Sequence, residues 1–302
     1  MAQGQSRVGA LMELIKNFNL TSFTQISWVS QEAKDKWAKV IPACSQMVQD
    51  LEILSVKHGH RPCAWRTISR QSLPDFSKQC AEMGLIVLPV CWVGSWEGFI
   101  HHTPEGDTNV YCIIAREMEH ALEYLDAFNR GDNAKQGELL GFPKCCCEFF
   151  AVQWAAGYFD PIWQMAYSGP EIYESKECRE RVEITSINVG KVHPHSNPML
   201  RYIGLRVGFH IPCSFHCDAT IAMAKDRLGI ALDQDLVKLL VALLSMPMSW
   251  SALHGQAVIR TPIFYLITQT EPTLKEYIVE LPGSFVPLEA ANGLRFPFRR
   301  PA

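Results

Sequence analysis

Apolar residues follow two rhythms along this chain, and each predicts a different element. Gly84 to Val93 and Thr108 to Ala115 are short apolar runs, rich in β-branched and aromatic residues and bounded by turn residues. Such runs predict buried strands. Elsewhere the spacing is helical. Ser30 is placed to cap a helix through Trp37 and Val40, with Gln31 and Glu32 in its first turn. A second helical stretch covers 45–57 and stops at Gly59, and a third has apolar positions at Met118, Leu122 and Leu125 and ends at Arg130-Gly131. A helix opens near Cys145 and continues through Phe149, Phe150, Val152 and Trp154. Another runs through Ile221, Met223, Ala224 and Leu228, and a very apolar one spans 233–245. Residues 158–209 show neither rhythm. Residues 250–262 read as helix end, tight turn and strand, while 257–268 and 275–281 read as antiparallel strand. The pattern predicts an α+β or mixed α/β fold, with cysteine-bearing helices at the centre and antiparallel strands at the C-terminus. The organisation expected is a mixed region 1–115 followed by a cysteine-cluster region 116–302, or one integrated domain.

With 302 residues, 48% of them hydrophobic, the chain can bury a large core. A net charge of −3 and a pI near 6.4 supply no general attraction to nucleic acid or anionic membrane. No apolar run approaches the ~20 residues a membrane helix needs. The N-terminus lacks the basic start and apolar block of a signal peptide, so the expected location is cytoplasmic.

That location changes how eleven cysteines are read, since disulfides are disfavoured in a reducing compartment. Cys91 and Cys112 lie inside strand-like runs, and Cys44 and Cys80 lie on helical patterns; all four read as core. Cys63 and Cys178 have polar neighbours and read as spare thiols. Five cysteines remain in two motifs: Gly141-Phe142-Pro143-Lys144-Cys145-Cys146-Cys147 and Pro212-Cys213-Ser214-Phe215-His216-Cys217. Each follows a proline and opens a helix, where free backbone N–H groups favour thiolate. Ser214 is the expected N-cap of the second helix. Successive helical residues differ by about 100°, so Cys145 and Cys147 cannot readily address one centre; Cys145 with Cys146, or Cys146 with Cys147, can. Adjacent cysteines form a cramped ring on a single Zn²⁺, whereas zinc sites favour C-x₂₋₄-C pairs. A cluster of several irons relaxes this, because neighbouring thiolates can bind different metal atoms. An iron–sulfur cluster of the 4Fe-4S type is therefore the leading expectation, and zinc the alternative. No dinucleotide-binding glycine motif, P-loop or G-x-S-x-G elbow is present.

The segments Glu138-Leu139-Leu140-Gly141-Phe142-Pro143-Lys144-Cys145-Cys146 and Pro212 to Cys217 resemble the G-[YF]-P-x-C-C and P-C-S-x-x-C signatures of a prokaryotic family of unknown function, domain-of-unknown-function family 483. The resemblance covers residues 135–230. It implies Cys145, Cys146, Cys213 and Cys217 as the matching positions and brings no activity with it. The adjacent cysteines are also similar to those of the iron–sulfur epoxyqueuosine reductase with adjacent cysteines, a likeness of site and not of substrate.

Around the cysteines, His216 and His210 are placed to ligate, or to hydrogen-bond a sulfur from outside the ligand shell. His195, in a loop that can close over a site, His254 beside Gly255, and Glu148 are the catalytic candidates. Their ordinary alternatives are packing, a turn, and a carboxylate stabilising a helix start. Arg260 is a candidate anion ligand, and Trp92, Trp96 and Phe99 a candidate pocket wall. The reading that follows is an iron–sulfur enzyme performing reductive or sulfur-transfer chemistry on a small molecule or RNA base, with a small-molecule substrate or electron donor as partner. The competing reading is a zinc-stabilised partner-binding domain without catalysis.

Overall fold

The two apolar runs become neighbours in one antiparallel sheet. The computed structural model describes residues 24–93, 109–155, 162, 165, 186–189, 192–253, 256–269, 278–280 and 295–299. The fold is mixed α+β, with antiparallel strands at the C-terminus. Two compact units interleave in sequence. One takes 1–30, 153–191 and 247–302, and the other takes 31–152 and 192–246. Ala115, where a regional break was expected, ends a strand inside the second unit.

That second unit is built on strands β2 (Cys63–Ser69), β3 (Ile86–Val93) and β4 (Asn109–Ala115), in the order β2-β4-β3. β4 is central, pairing Cys63 to Ala115 on one side and Ile86 to Ala115 on the other. Side chains alternate across a sheet, so a strand covered on both faces is apolar throughout. One face of β4 sets Tyr111, Ile113 and Ala115 among Ala121 and Tyr124 of α4 (Met118–Asn129) and Leu139 of α5 (Asn133–Leu139). On the other face, Ile114 packs with Ile53 and Val56 of α2 (Val40–Lys57), which follows α1 (Gln31–Trp37), and with Cys80 of α3 (Leu73–Glu82). Burying each large apolar side chain of this kind contributes about 1.5–3 kcal/mol.

Three readings of this unit need correction. On α4, Met118 and Leu122 are 47% and 51% exposed, and the buried side is Ala121, Tyr124 and Ala127. The Tyr111 and Tyr124 hydroxyls hydrogen-bond at 2.7 Å in the interior. With the Tyr111 and Tyr124 rings filling that space, the other buried residues of α4 are the alanines. Cys63 is no spare thiol. It is fully buried at the start of β2, and burial pushes its pKa up to about 12. Helix α2 starts at Val40, so the stretch expected to open at residue 45 is longer by five residues.

A buried carboxylate on α2 organises the rest of the unit. Glu52 pairs with Arg61 and, at 2.9 Å, with Arg227 of α7 (Asp218–Gly229). All three side chains are at most 5% exposed. Arg61 also donates to the Glu52 carbonyl at 2.9 Å and the Leu140 carbonyl at 3.4 Å. Helix α8 (Gln234–Leu244) begins at Asp233, whose carboxylate accepts from the N–H groups of Asp235 and Leu236, and it buries Leu240, Leu243 and Leu244.

The other unit contains a five-stranded antiparallel sheet ordered β1-β8-β7-β6-β5, formed by β1 (Thr24–Trp28), β5 (Ser186–Val189), β6 (Met248–Leu253), β7 (Gln256–Arg260) and β8 (Phe264–Gln269). Trp28 meets Phe264 edge-on at 5.9 Å. Strands β9 (Ile278–Glu280) and β10 (Arg295–Arg299) pair separately. Residues 250–253, read as a helix end, are strand, because Trp250 pairs with Ile187 on one side and Ile259 on the other. Among the described residues no helix is long and apolar enough to cross a membrane.

Candidate metal centre

The first cysteine motif joins α5 to α6 (Lys144–Ala155). Gly141 closes α5 in the left-handed region, at φ +67°, which disfavours a side chain. Its N–H reaches the Glu138 carbonyl at 2.9 Å, and the Phe142 N–H reaches that of Gly137 at 2.9 Å. A Cβ at Gly141 would stand 2.7 Å from Arg61 Cβ, so glycine is required twice over. The Pro143 carbonyl then accepts from the N–H groups of Cys146 and Cys147, which starts α6 and sets Cys145 and Cys146 in its first turn.

In the second motif the expected N-cap is displaced. The Ser214 hydroxyl accepts the His216 N–H at 3.1 Å within a separate turn, and the helix begins only at Cys217, whose carbonyl accepts the Ile221 N–H at 2.9 Å. This turn is held by a second segment. The Phe215 carbonyl accepts both the His193 N–H at 3.3 Å and the Ser196 hydroxyl.

These two motifs bring four sulfurs together. Cys145, Cys146, Cys213 and Cys217 offer Sγ atoms that all lie within 4.8 Å of one another. Cys145 and Cys146 each stand 3.6 Å from Cys217, and 3.9 Å from each other. The Cys213 N–H donates to Cys146 Sγ at 3.4 Å. Four thiols this close can bind a metal ion. Cys147 turns the other way: its sulfur lies against Gly137, with the Phe142 carbonyl 3.9 Å off.

Thr220, fully buried on α7, stands behind this group. Its hydroxyl is 3.3 Å from Cys146 Sγ and 3.0 Å from His210 Nε2. Burial drives the Cys146 thiol far above its ordinary range, despite Thr220 and the Cys213 N–H. Burial, together with its bonding to Cys217, pushes Cys213 up to about 12. Burial also opposes the Cys217 thiolate, but the Thr220 hydroxyl and N–H and the neighbouring thiols outweigh it and bring the group down to about 7. A cation therefore finds the Cys217 thiolate accessible near neutral pH and must displace the protons of Cys146 and Cys213.

The remaining candidates scatter. His210 sits outside the sulfur group, its ring 5.1 Å from Phe142, and reaches a thiol only through Thr220. His216 is exposed and outside the four-sulfur group. Glu148 is exposed, faces Lys144 at 3.8 Å and stands outside the four-sulfur group. His195 lies in a one-turn 3₁₀ helix, Pro194–Ser196, where its N–H donates to His193 Nδ1. His254, Cys178, Trp96 and Phe99 lie outside the described residues.

Four contributors escaped the sequence reading: Thr220, Glu52, Arg61 and Arg227. Glu52 anchors both arms, since Arg61 holds the α5–α6 junction and Arg227 belongs to the helix that Cys217 opens. One signal did exist. Glu52 stands four residues from both Val48 and Val56, on the apolar stripe of a helix where an unpaired charge is costly.

No protein-family model, curated protein or solved structure matches this chain.

Proposed function

We propose that Cys145, Cys146, Cys213 and Cys217 hold one tetrahedral Zn²⁺ as a structural centre that staples the α5–α6 junction to the start of α7. The carrying observation is the sulfur spacing. Zn–S bonds of about 2.3 Å in a regular tetrahedron separate the sulfurs by about 3.8 Å, and the contacts here are 3.6, 3.6 and 3.9 Å. In a cluster, thiolates on different irons stand an iron–iron edge plus two outward Fe–S bonds apart, wider than the 4.8 Å limit met here. Four thiolates would also leave no position for water or substrate on the ion, which is the form of structural and not catalytic zinc sites. In this reading the centre stabilises a binding domain.

Adjacent Cys145 and Cys146 favour a second reading. An iron–sulfur enzyme performing reductive or sulfur-transfer chemistry would use neighbours on different irons, avoiding a cramped ring on one ion. Anaerobic purification followed by metal, sulfide and visible-absorption analysis separates the two. One colourless zinc per chain, without sulfide, is the expected result. Iron with acid-labile sulfide would transfer the site to the second reading, and a fully folded chain holding neither would refute both.

A further inference from the structure

A cleft opens beside the sulfur group, on the far side of Thr220. It is lined by His195 and Asn197, by Arg206, Gly208 and His210, and by Thr220. It measures about 10 Å³, room for one water-sized group, and it is open to solvent. No carboxylate lines it. Three buried nitrogens without a hydrogen-bond partner among the described residues belong to this lining: Arg206 Nε, His195 Nδ1 and His210 Nδ1. Leaving one such group unsatisfied is costly, and three in one cleft point to a polar ligand that completes them.

The side chains are held ready. Arg206 lies over the Phe209 ring at 4.1 Å, and Phe209 packs edge-on against Trp65 at 5.8 Å. Among the described residues no carboxylate stands within ion-pair distance of Arg206; Glu52 favours its charge from farther off and Arg201 opposes it. Gly208 makes room for His210, since a Cβ there would stand 2.8 Å from His210 Nδ1. The direction of hydrogen bonding follows from Thr220, whose hydroxyl has a single proton. With Cys146 as a metal-bound thiolate, that proton goes to sulfur, so the Thr220 oxygen accepts from His210 Nε2–H. His210 Nδ1 is then a bare acceptor. The cleft thus offers a fixed cationic donor at Arg206 and an acceptor at His210.

We propose that this cleft binds a small oxyanion that carries its own hydroxyl, as hydrogen phosphate and 2-hydroxycarboxylates do. One ligand oxygen enters the cleft and accepts from Arg206 Nε, the ligand O–H donates to His210 Nδ1, and the remainder extends toward solvent beside His195. Guanidinium suits this task because it stays charged even when burial lowers it, here to about 10. Only the direction assigned to His210 rests on the metal-thiolate reading; the role of Arg206 stands without it.

The test is calorimetric titration of the full chain, of measured metal content, with inorganic phosphate, glycolate and sulfate at neutral pH. Phosphate or glycolate should bind, and sulfate, which lacks a proton to donate, should bind at least about tenfold more weakly. Arg206→Gln should weaken phosphate binding about tenfold or more, with metal content unchanged. His195→Gln, at a half-buried position, repeats the test should Arg206→Gln fold poorly, and it should weaken binding severalfold. Sulfate binding as tightly as phosphate overturns the hydroxyl requirement. Absence of binding by all three anions at millimolar concentration, or phosphate binding indifferent to both variants, overturns the site. Anion binding by a chain without metal would instead count against the zinc reading alone.

Discussion

Replacing Thr220 with Val tests whether the hydroxyl supports the metal centre or merely fills space. The two side chains have nearly the same shape, so the substitution opens little cavity and deletes one O–H. Thr220 is fully buried, so water has no access to replace the lost donor to Cys146, 3.3 Å away. A hydrogen bond to a charged group contributes about 1.5–3 kcal/mol. At about 1.4 kcal/mol per tenfold, metal binding should weaken roughly 10- to 100-fold, the usual range for a residue supporting a ligand. The substitution also strips His210 Nε2 of its partner at 3.0 Å. That loss falls on metal-free and metal-loaded protein alike, so it lowers stability without entering the affinity. The assay is Co²⁺ titration against a competing chelator, read from the thiolate-to-cobalt absorption band. Thr220→Ser keeps the hydroxyl and should stay within a few-fold of the parent. Unchanged affinity in Thr220→Val would refute the reasoning; so would equal losses in the Ser and Val variants, which would trace the effect to packing.

Cys146→Ser, Cys213→Ser and Cys217→Ser should each lose metal on dialysis, whereas Cys147→Ala, whose sulfur lies against Gly137, should retain it; metal analysis decides. Cys91, half-buried, is a better control than Cys63, whose replacement would disturb the core. Apparent metal affinity should climb at least about 100-fold per pH unit near neutrality, because the protons held by Cys146 and Cys213 must be displaced. The metal-free state binds more protons, so acid strips the ion; a pH-independent competition titration would contradict this. Glu52→Gln leaves Arg61 and Arg227 as uncompensated buried cations and should cost about 3–5 kcal/mol in urea unfolding of metal-loaded protein. Removing the partly exposed Asp50–Arg66 contact, at 3.9 Å, should cost about 1 kcal/mol or less. Chelation should lower the melting temperature and speed proteolysis near 212–217 before the 63–69 strand, since the ion stabilises only the state that binds it.

What the sequence determined by itself was local. The unbroken apolar runs at 86–93 and 109–115 read as buried strands, because a strand covered on both faces shows no alternation. Prolines and glycines at Gly141, Pro143 and Pro212 placed the cysteines at helix starts, since backbone φ and missing N–H groups act within a few residues. Helical periodicity showed that Cys145 and Cys147 diverge. Tertiary structure decided the rest. Whether Cys63 is exposed depends on what covers β2, and which side of α4 faces inward depends on the Tyr111 ring that Tyr124 meets. The spacing of four sulfurs contributed by positions 145 to 217 is set by how two distant arms pack, and that spacing is what lets four thiols bind a metal ion together. Thr220 reaches Cys146, Arg227 reaches Glu52 and Arg61 reaches the Leu140 carbonyl across long stretches of sequence. Their chemistry is ordinary until folding removes water and leaves each charge or hydroxyl only its protein partners; of this the linear pattern records just the charge of Glu52 on an apolar stripe.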